Sequence, residues 1–122
     1  QRQKDLINYM RETFRLTYNM LKPGMTGREI DVPGREYYEK HGLGEYIVCP
    51  FAHSIGLMEA ESPFFGPNGD FVLVPGMAVM VGVSFFGHPQ LYGGRIETGF
   101  IITETGAEPM SQKMFNHFMK DL

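Results

Sequence analysis

His53-Ser54-Ile55-Gly56-Leu57 opens residues 53–97, the part of the chain that says most about its fold and function. Three further short motifs follow within it: Glu61-Ser62-Pro63, Pro75-Gly76-Met77 and Gly93-Gly94-Arg95-Ile96-Glu97. Imidazole and carboxylate groups transfer protons in many enzymes, and both also bind metals. Residues 53–97 therefore carry side chains of the types that such a site would use.

The composition indicates one folded domain that does not bind nucleic acid. The chain has 122 residues, 43% of them hydrophobic and 20% charged, which is ordinary for a globular protein. Its net charge of -3 and scattered basic residues argue against a surface that grips phosphates. No apolar run approaches the roughly 18 residues that span a bilayer, so we expect a cytoplasmic protein. Cys49 is the only cysteine, which excludes an internal disulfide, and we expect a buried, inert thiol there.

The first 44 residues predict two helices. Apolar residues recur at three- and four-residue spacing and place one helix before Pro23-Gly24: Leu6, Ile7, Met10, Phe14, Tyr18 and Leu21. Thr26 and Glu29 form a capping-box pattern that starts a second helix, which Gly42 and Gly44 close. Pro33-Gly34 lies inside this second helix and should kink it or delay its regular part.

From residue 45 onward, short β-branched and aromatic runs between glycines and prolines predict strands. The candidate strands are Glu45–Val48, Ile55–Glu59, Ala78–Phe85 and Glu97–Glu104. Met114, Phe115 and Phe118 then stand at helical spacing, so a short final helix with Ser111 as its N-cap is expected. Two helices followed by a mostly antiparallel sheet predict an α+β domain.

The motifs of residues 53–97 stand in the order found in a known enzyme family. Upstream of them, Leu21-Lys22-Pro23-Gly24-Met25-Thr26 and Glu29-Ile30-Asp31 also fit that pattern. Together they resemble the creatinase, prolidase and aminopeptidase P family, whose pita-bread fold places a metal site between two similar α+β halves. The resemblance implies that residues 1–122 form a single partial domain, the second half of such a fold, with the upstream half absent from this chain.

The resemblance also implies a metal site from which one ligand is missing. In the family, His53 and Glu97 would be metal ligands, and a glutamate would stand at the position of Gly82. A substrate-contacting histidine and an aspartate are replaced by Ala60 and Thr98. Manganese, zinc, cobalt or iron is therefore implied for a full-length relative. This chain alone is expected to bind none of them, because a divalent site typically needs three or more protein donors.

The function implied by the resemblance is hydrolysis of a C–N bond in a small peptide or related amide. His53 and Glu61 are then the expected catalytic residues, and His88 and Arg95 the expected substrate-binding residues. The implied partners are the substrate, the upstream half of the domain and a second copy in a homodimer, and this chain alone is expected to be inactive. Two alternatives remain open: a metal-free hydrolase like creatinase, and a non-catalytic relative that binds other proteins.

Each candidate residue also has a purely structural interpretation. His53 could be a strand-end histidine bonded to backbone, and Glu97 could form a structural ion pair with Arg95. Glu61 could be a solvated loop residue and His88 an exposed loop histidine. Glu59 ranks below Glu61, because alternation along the predicted strand places it on the other face.

Overall fold

The computed structural model describes residues 1–120 and shows three α-helices packed on one four-stranded sheet. The α-helices are α1 (Arg2–Asn19), α2 (Gly27–Lys40) and α3 (Gln112–Met119). The strands are β1 (Ala52–Ser54), β2 (Ala78–His88), β3 (Tyr92–Ile102) and β4 (Ala107–Pro109). All neighbouring strands are antiparallel, in the order β1-β2-β3-β4. The predicted α+β class is therefore confirmed.

The start of α2 matches its capping-box prediction. The Glu29 backbone N–H donates to Thr26 Oγ1 at 3.2 Å, and the Thr26 N–H donates to Glu29 Oε2 at 2.8 Å. The predicted delay at Pro33 is wrong, since α2 is helical from Gly27 onward and continues through Pro33 to Lys40. Proline's fixed φ suits a helix, and the firm cap sets the first turn before the proline is reached.

The long hairpin of β2 and β3 has two chemically different faces. Because side chains alternate along a strand, the odd-numbered residues of β2 from Val79 to Phe85 point toward the helices and are buried. Phe85 lies 6.0 Å from Tyr38 of α2, and Phe100 of β3 lies 6.1 Å from Phe14 of α1, between ring centroids. The hydrophobic core thus occupies the helix side of the sheet, and the other face carries the even-numbered residues of β2.

Two of the four predicted strands are wrong. Residues 45–48 lie around a single 3₁₀ turn, Gly44–Tyr46, since glycines on both sides of Leu43 let the chain tighten after α2. Residues 55–59 form an irregular loop, and the adjacent strand is instead the short β1. Exposure explains this second error, because Leu57 and Met58 are solvent-exposed and do not pack as strand residues would.

A loop from residue 55 to residue 65 folds back over the end of β1. Ser54 Oγ donates to the Pro63 carbonyl at 2.7 Å, and the Glu61 N–H donates to the Ser54 carbonyl at 3.2 Å. Phe65 is buried and contacts Phe71 edge-on, with centroids 4.8 Å apart. These contacts fix the loop beside His53 on the open face of the sheet.

The C-terminal part contains one element that the sequence pattern did not predict. The β4 strand pairs with β3 from Phe100 to Ile102, and residues 107–109 were not among the candidate strands. The α3 helix and its Ser111 cap are confirmed, with the Met114 N–H donating to Ser111 Oγ at 3.3 Å. None of the helices within residues 1–120 is long and apolar enough to cross a membrane.

Candidate functional site

His53 lies on the open face of the sheet, opposite Met80 in the β1–β2 ladder. Its side chain is 16% exposed, and its Nε2 lies 3.3 Å from Glu97 Oε2. Its Nδ1 lies 3.2 Å from the backbone carbonyl of Ser54. The Glu97 carboxylate and the Ser54 carbonyl can only accept hydrogen bonds. A doubly protonated imidazole can donate to both of them, whereas a neutral imidazole can donate to only one. The hydrogen bonds thus hold the imidazole beside Glu97.

Glu97 and Arg95 stand two residues apart on β3 and therefore share the open face. Arg95 Nη2 donates a hydrogen bond to Glu97 Oε2, the same oxygen that lies near His53. On its other side, Arg95 Nη2 lies 3.7 Å from the exposed carboxylate of Glu59. The hydrogen bond to Glu97 raises the pKa of the Arg95 guanidinium, while partial burial lowers it. The result is a cluster, His53–Glu97–Arg95, in which one carboxylate oxygen joins an imidazole and a guanidinium.

Gly82 lies directly across from Glu97 in the β2–β3 ladder. A Cβ atom at position 82 would overlap Glu97 Oε2 and lie 3.2 Å from Arg95 Nη2. The end of the Glu97 side chain therefore occupies the space that a side chain at this position would need, and the guanidinium borders it. Any larger residue at 82 would require the Glu97 carboxylate to move.

The donor set of this cluster does not fit a complete metal site. Across residues 1–120, no group of three or more histidine, cysteine, aspartate or glutamate side chains lies close enough to hold an ion. His53 and Glu97 supply two donors, and the third neighbour is a cation, Arg95. A dinuclear mechanism also needs carboxylates that bridge two ions and offset their charge. The expectation that this chain alone binds no metal stays a prediction.

A pocket of about 320 Å³ opens beside the cluster. His53 and Arg95 form one part of its wall, and the residue types of the remainder are mostly apolar. The other lining residues are Cys49, Pro50, Ala52, Glu59, Ala60, Phe64 and Phe65. A small apolar cavity with a few convergent polar groups is the usual form of a site for a small ligand.

The structure places the two other predicted site residues outside this cluster. Glu61 Oε2 accepts a hydrogen bond from the Met58 N–H at 3.2 Å, and its carboxylate fills the space beside Gly56. His88 lies at the β2–β3 turn, where its Nδ1 accepts from the Gln90 and Leu91 N–H groups at 3.1 and 3.0 Å. Both side chains hold local turns in this structure, and their predicted roles in catalysis and substrate binding stay predictions.

Two pocket residues received less weight from the sequence than their positions warrant. Glu59 was ranked below Glu61 on the assumption of a strand, but in the irregular loop it is Glu59 that faces Arg95. Cys49 was expected to be buried, and this is wrong, because it is exposed and lines the pocket. The proline that follows Cys49 and the glycine-rich turn before it were signals of an exposed loop there.

The comparisons with known proteins agree with the resemblance inferred from the motifs. The model of metallopeptidase family M24 matches residues 1–104 of the chain. The Xaa-Pro dipeptidase of Lactobacillus helveticus is 31% identical over 121 residues, which cover 99% of this chain and 31% of that protein. The Xaa-Pro dipeptidase of Pyrococcus furiosus is 30% identical over 112 residues, covering 92% of this chain and 32% of that protein.

Solved structures show the same fold. The Xaa-Pro dipeptidase from Bacillus anthracis superposes with a TM-score of 0.82 at 38% identity, covering 89% of this chain and 30% of that one. The prolidase from Pyrococcus furiosus gives a TM-score of 0.82 at 29% identity, covering 98% and 33%. The chain thus spans a quarter to a third of the length of the curated relatives it matches. With its fold and motifs both matched, the chain belongs to metallopeptidase family M24, the family of these prolidase-type proteins.

Proposed function

We propose that this chain is the C-terminal catalytic half of a hydrolase that cleaves a C–N bond in a small peptide or related amide. The observation that carries the proposal is the His53–Glu97–Arg95 cluster at the wall of a small pocket. Several relatives are named Xaa-Pro dipeptidase, which makes a short peptide with proline the first substrate class to test. The upstream half of the domain would be supplied by a further segment of the protein.

In this proposal His53 is the proton-transfer group. Imidazole is the side chain that enzymes use most often to transfer protons, and Glu97 holds this ring in place. Arg95 would contact a carbonyl or carboxylate oxygen of the substrate, because its guanidinium borders the pocket. Glu61 and His88 would contribute indirectly by fixing the loop and the hairpin turn that they bond. A cytoplasmic location and a homodimer complete the proposal.

The family also implies a divalent metal, and this chain offers at most His53 and Glu97 toward one. A metal bound there would act as a Lewis acid or activate a water molecule. Since the described donor set is incomplete, we assign no reaction step to a metal. The proposed roles of His53 and Arg95 rest on the pocket geometry alone.

A second candidate function is a non-catalytic module that binds other proteins. Gly82 and Ala60, which replace a metal ligand and a substrate-contacting histidine of the resembled family, favour it. In that case the pocket would have no catalytic role, and removing the His53 side chain would leave the binding of other proteins unchanged. One hydrolysis experiment separates the two candidates.

The experiment assays the protein at its full natural length against a panel of Xaa-Pro dipeptides and simple amides. If His53 transfers the proton, His53→Gln should lower kcat by about 10²- to 10⁴-fold. The matched control is His117→Gln, which removes an exposed histidine on α3 and should leave kcat unchanged. Equal rates for wild type and His53→Gln would contradict the role of His53. No hydrolysis of any substrate by a folded protein would favour the binding module.

A further inference from the structure

Position 82 combines a missing side chain with two charged groups placed over it. Gly82 is buried in the middle of β2, and the atoms that a Cβ at this position would meet first belong to Glu97 and Arg95. A glutamate at this position could not coexist with the present Glu97 and Arg95 side chains without moving them. The glycine therefore does more than remove a donor, because it also leaves room for the Glu97 carboxylate to which Arg95 donates.

One carboxylate oxygen of Glu97 already contacts two neighbouring side chains. Its Oε2 accepts a hydrogen bond from Arg95 Nη2 and lies 3.3 Å from His53 Nε2. Arginine stays protonated at any ordinary pH, so it cannot release this oxygen by losing its charge. A divalent cation approaching His53 and Glu97 would meet the positive guanidinium at short range and be repelled.

The Nη2 atom of the guanidinium lies near two carboxylates. Glu97 bonds it along β3, and Glu59 approaches the same Nη2 atom to 3.7 Å from the loop over β1. Two carboxylates around one cation resemble, in charge, the arrangement that carboxylates make around a metal ion. The loop of residues 55–65 thus contributes the Glu59 carboxylate to a site in which the cation is the Arg95 side chain.

We propose that Arg95, paired with the Glu97 carboxylate beside Gly82, is the resident cation of this site and excludes a divalent metal from His53 and Glu97. This goes beyond the proposed hydrolase function, because metal exclusion is a binding property that can be measured without substrate. It also gives Gly82 a positive role, since a side chain there would push aside the carboxylate that the cation binds.

Metal binding to the full-length protein tests the proposal. Mn²⁺ and Zn²⁺ are titrated into wild type, His53→Gln and Glu97→Gln by isothermal titration calorimetry. We expect the affinity and stoichiometry of the three proteins to agree within about twofold, since neither residue binds metal. A tenfold or greater loss of affinity in either variant would overturn the proposal, because it would make that residue a ligand.

Substitutions at position 82 sharpen the test. Gly82→Glu adds a third donor whose negative charge offsets that of Arg95, and it should bind Zn²⁺ at least tenfold more tightly than wild type. Gly82→Ala is the matched control, since it adds the overlapping Cβ without a donor and should show no such gain. A folded Gly82→Glu protein that binds no more tightly than Gly82→Ala would overturn the role given to this position. If Gly82→Glu does not fold, the metal affinities of wild type, His53→Gln and Glu97→Gln still decide whether the metal is excluded.

The outcome is separable from that of the hydrolase proposal. Hydrolysis that continues in excess chelator would support both proposals. Hydrolysis that requires a metal bound by His53 and Glu97 would overturn the exclusion of metal and leave the hydrolase standing. If the protein excludes metal but hydrolyses no substrate, the proposal for Arg95 is supported and the hydrolase proposal is overturned.

Discussion

The two faces of the sheet are built from the same strands but by different physical rules. Toward the helices, Val79, Val81, Val83 and Phe85 of β2 are fully buried, and their packing drives folding. On the open face, the same strand carries Gly82, and β3 adds Arg95 and Glu97, which are joined by charged hydrogen bonds. Strand alternation thus places the residues that stabilise the fold on one face and the candidate site on the other. Substitutions on the buried face should lower stability, and substitutions on the open face should lower activity.

The greatest loss of stability is expected from the buried face. Phe85→Ala removes a ring that contacts Tyr38 and Tyr46, at centroid distances of 6.0 and 5.4 Å, and should lower the free energy of unfolding by about 3 to 5 kcal/mol. The matched control is its neighbour Phe86, 47% exposed on the opposite face, where Phe86→Ala should cost about 0.5 kcal/mol. Urea denaturation measures both. Equal losses would contradict the assignment of the two faces.

A smaller effect is expected where the helices meet. A Cβ at Gly34 would lie 2.9 Å from both Phe51 and Thr13 side-chain carbons, so Gly34→Ala should destabilise by about 1 to 3 kcal/mol through overpacking. Higher helix propensity would offset up to about 1 kcal/mol of this. Gly106→Ala, which meets nothing within 4 Å, is the control and should be neutral in thermal unfolding. A more stable Gly34→Ala protein would contradict this prediction, because it would show that the space between Gly34, Phe51 and Thr13 can hold a methyl group.

The capping box gives a prediction for pH dependence. Hydrogen bonds from the Thr26 backbone and side chain lower the pKa of Glu29 below its ordinary value of 4.5. The carboxylate therefore stabilises the fold above that value, and the contribution is lost as pH falls through the lowered pKa. Thr26→Ala should cost about 1 kcal/mol near neutral pH and less in acid.

The control for this prediction is a second glutamate of the same helix. Glu36 is exposed beyond the first turn, so Glu36→Gln should leave the pH profile of thermal unfolding unchanged, whereas Glu29→Gln should flatten its acid limb. A difference between wild type and Thr26→Ala that stays constant down to low pH would contradict the role of the Glu29 carboxylate.

The weakest effect on stability is expected from the charged cluster itself. Arg95 is about one-third exposed, so its ion pairs are screened, and Arg95→Met should change the free energy of unfolding by less than about 1 kcal/mol. The same substitution should nevertheless lower hydrolysis by the full-length protein. Arg28→Met, at an exposed site on α2, should change neither quantity. A large loss of stability in Arg95→Met would show that Arg95 is needed to stabilise the fold, as the residues of the buried face are.

Much of the buried face could be predicted from periodicity, but the open face could not. Apolar spacing located α1, and the Thr26–Glu29 pattern located the start of α2, because both signals are local. The motifs named His53 and Glu97 as ligands of one metal, which stays a prediction, and the structure shows their side chains 3.3 Å apart. The place of Glu59 depended on how an irregular loop folds over β1, which is set by distant contacts such as that of Phe65 with Phe71. No local pattern encodes that fold.

The role of Gly82 shows the limit most clearly. The motif comparison identifies a missing ligand there, but only the β2–β3 register places Gly82 against Glu97 and beneath Arg95. A substitution that looks like a loss in the sequence is, in three dimensions, also the condition for a different charged contact.

The exclusion of metal by Arg95 can be observed at atomic detail in a crystal of the full-length protein soaked in Mn²⁺, with an anomalous difference map. We predict no anomalous peak bonded to His53 and Glu97, and we predict Arg95 Nη2 within hydrogen-bonding distance of Glu97 Oε2. A manganese ion bonded by both His53 and Glu97, with Arg95 withdrawn from the carboxylate, would contradict the resident guanidinium.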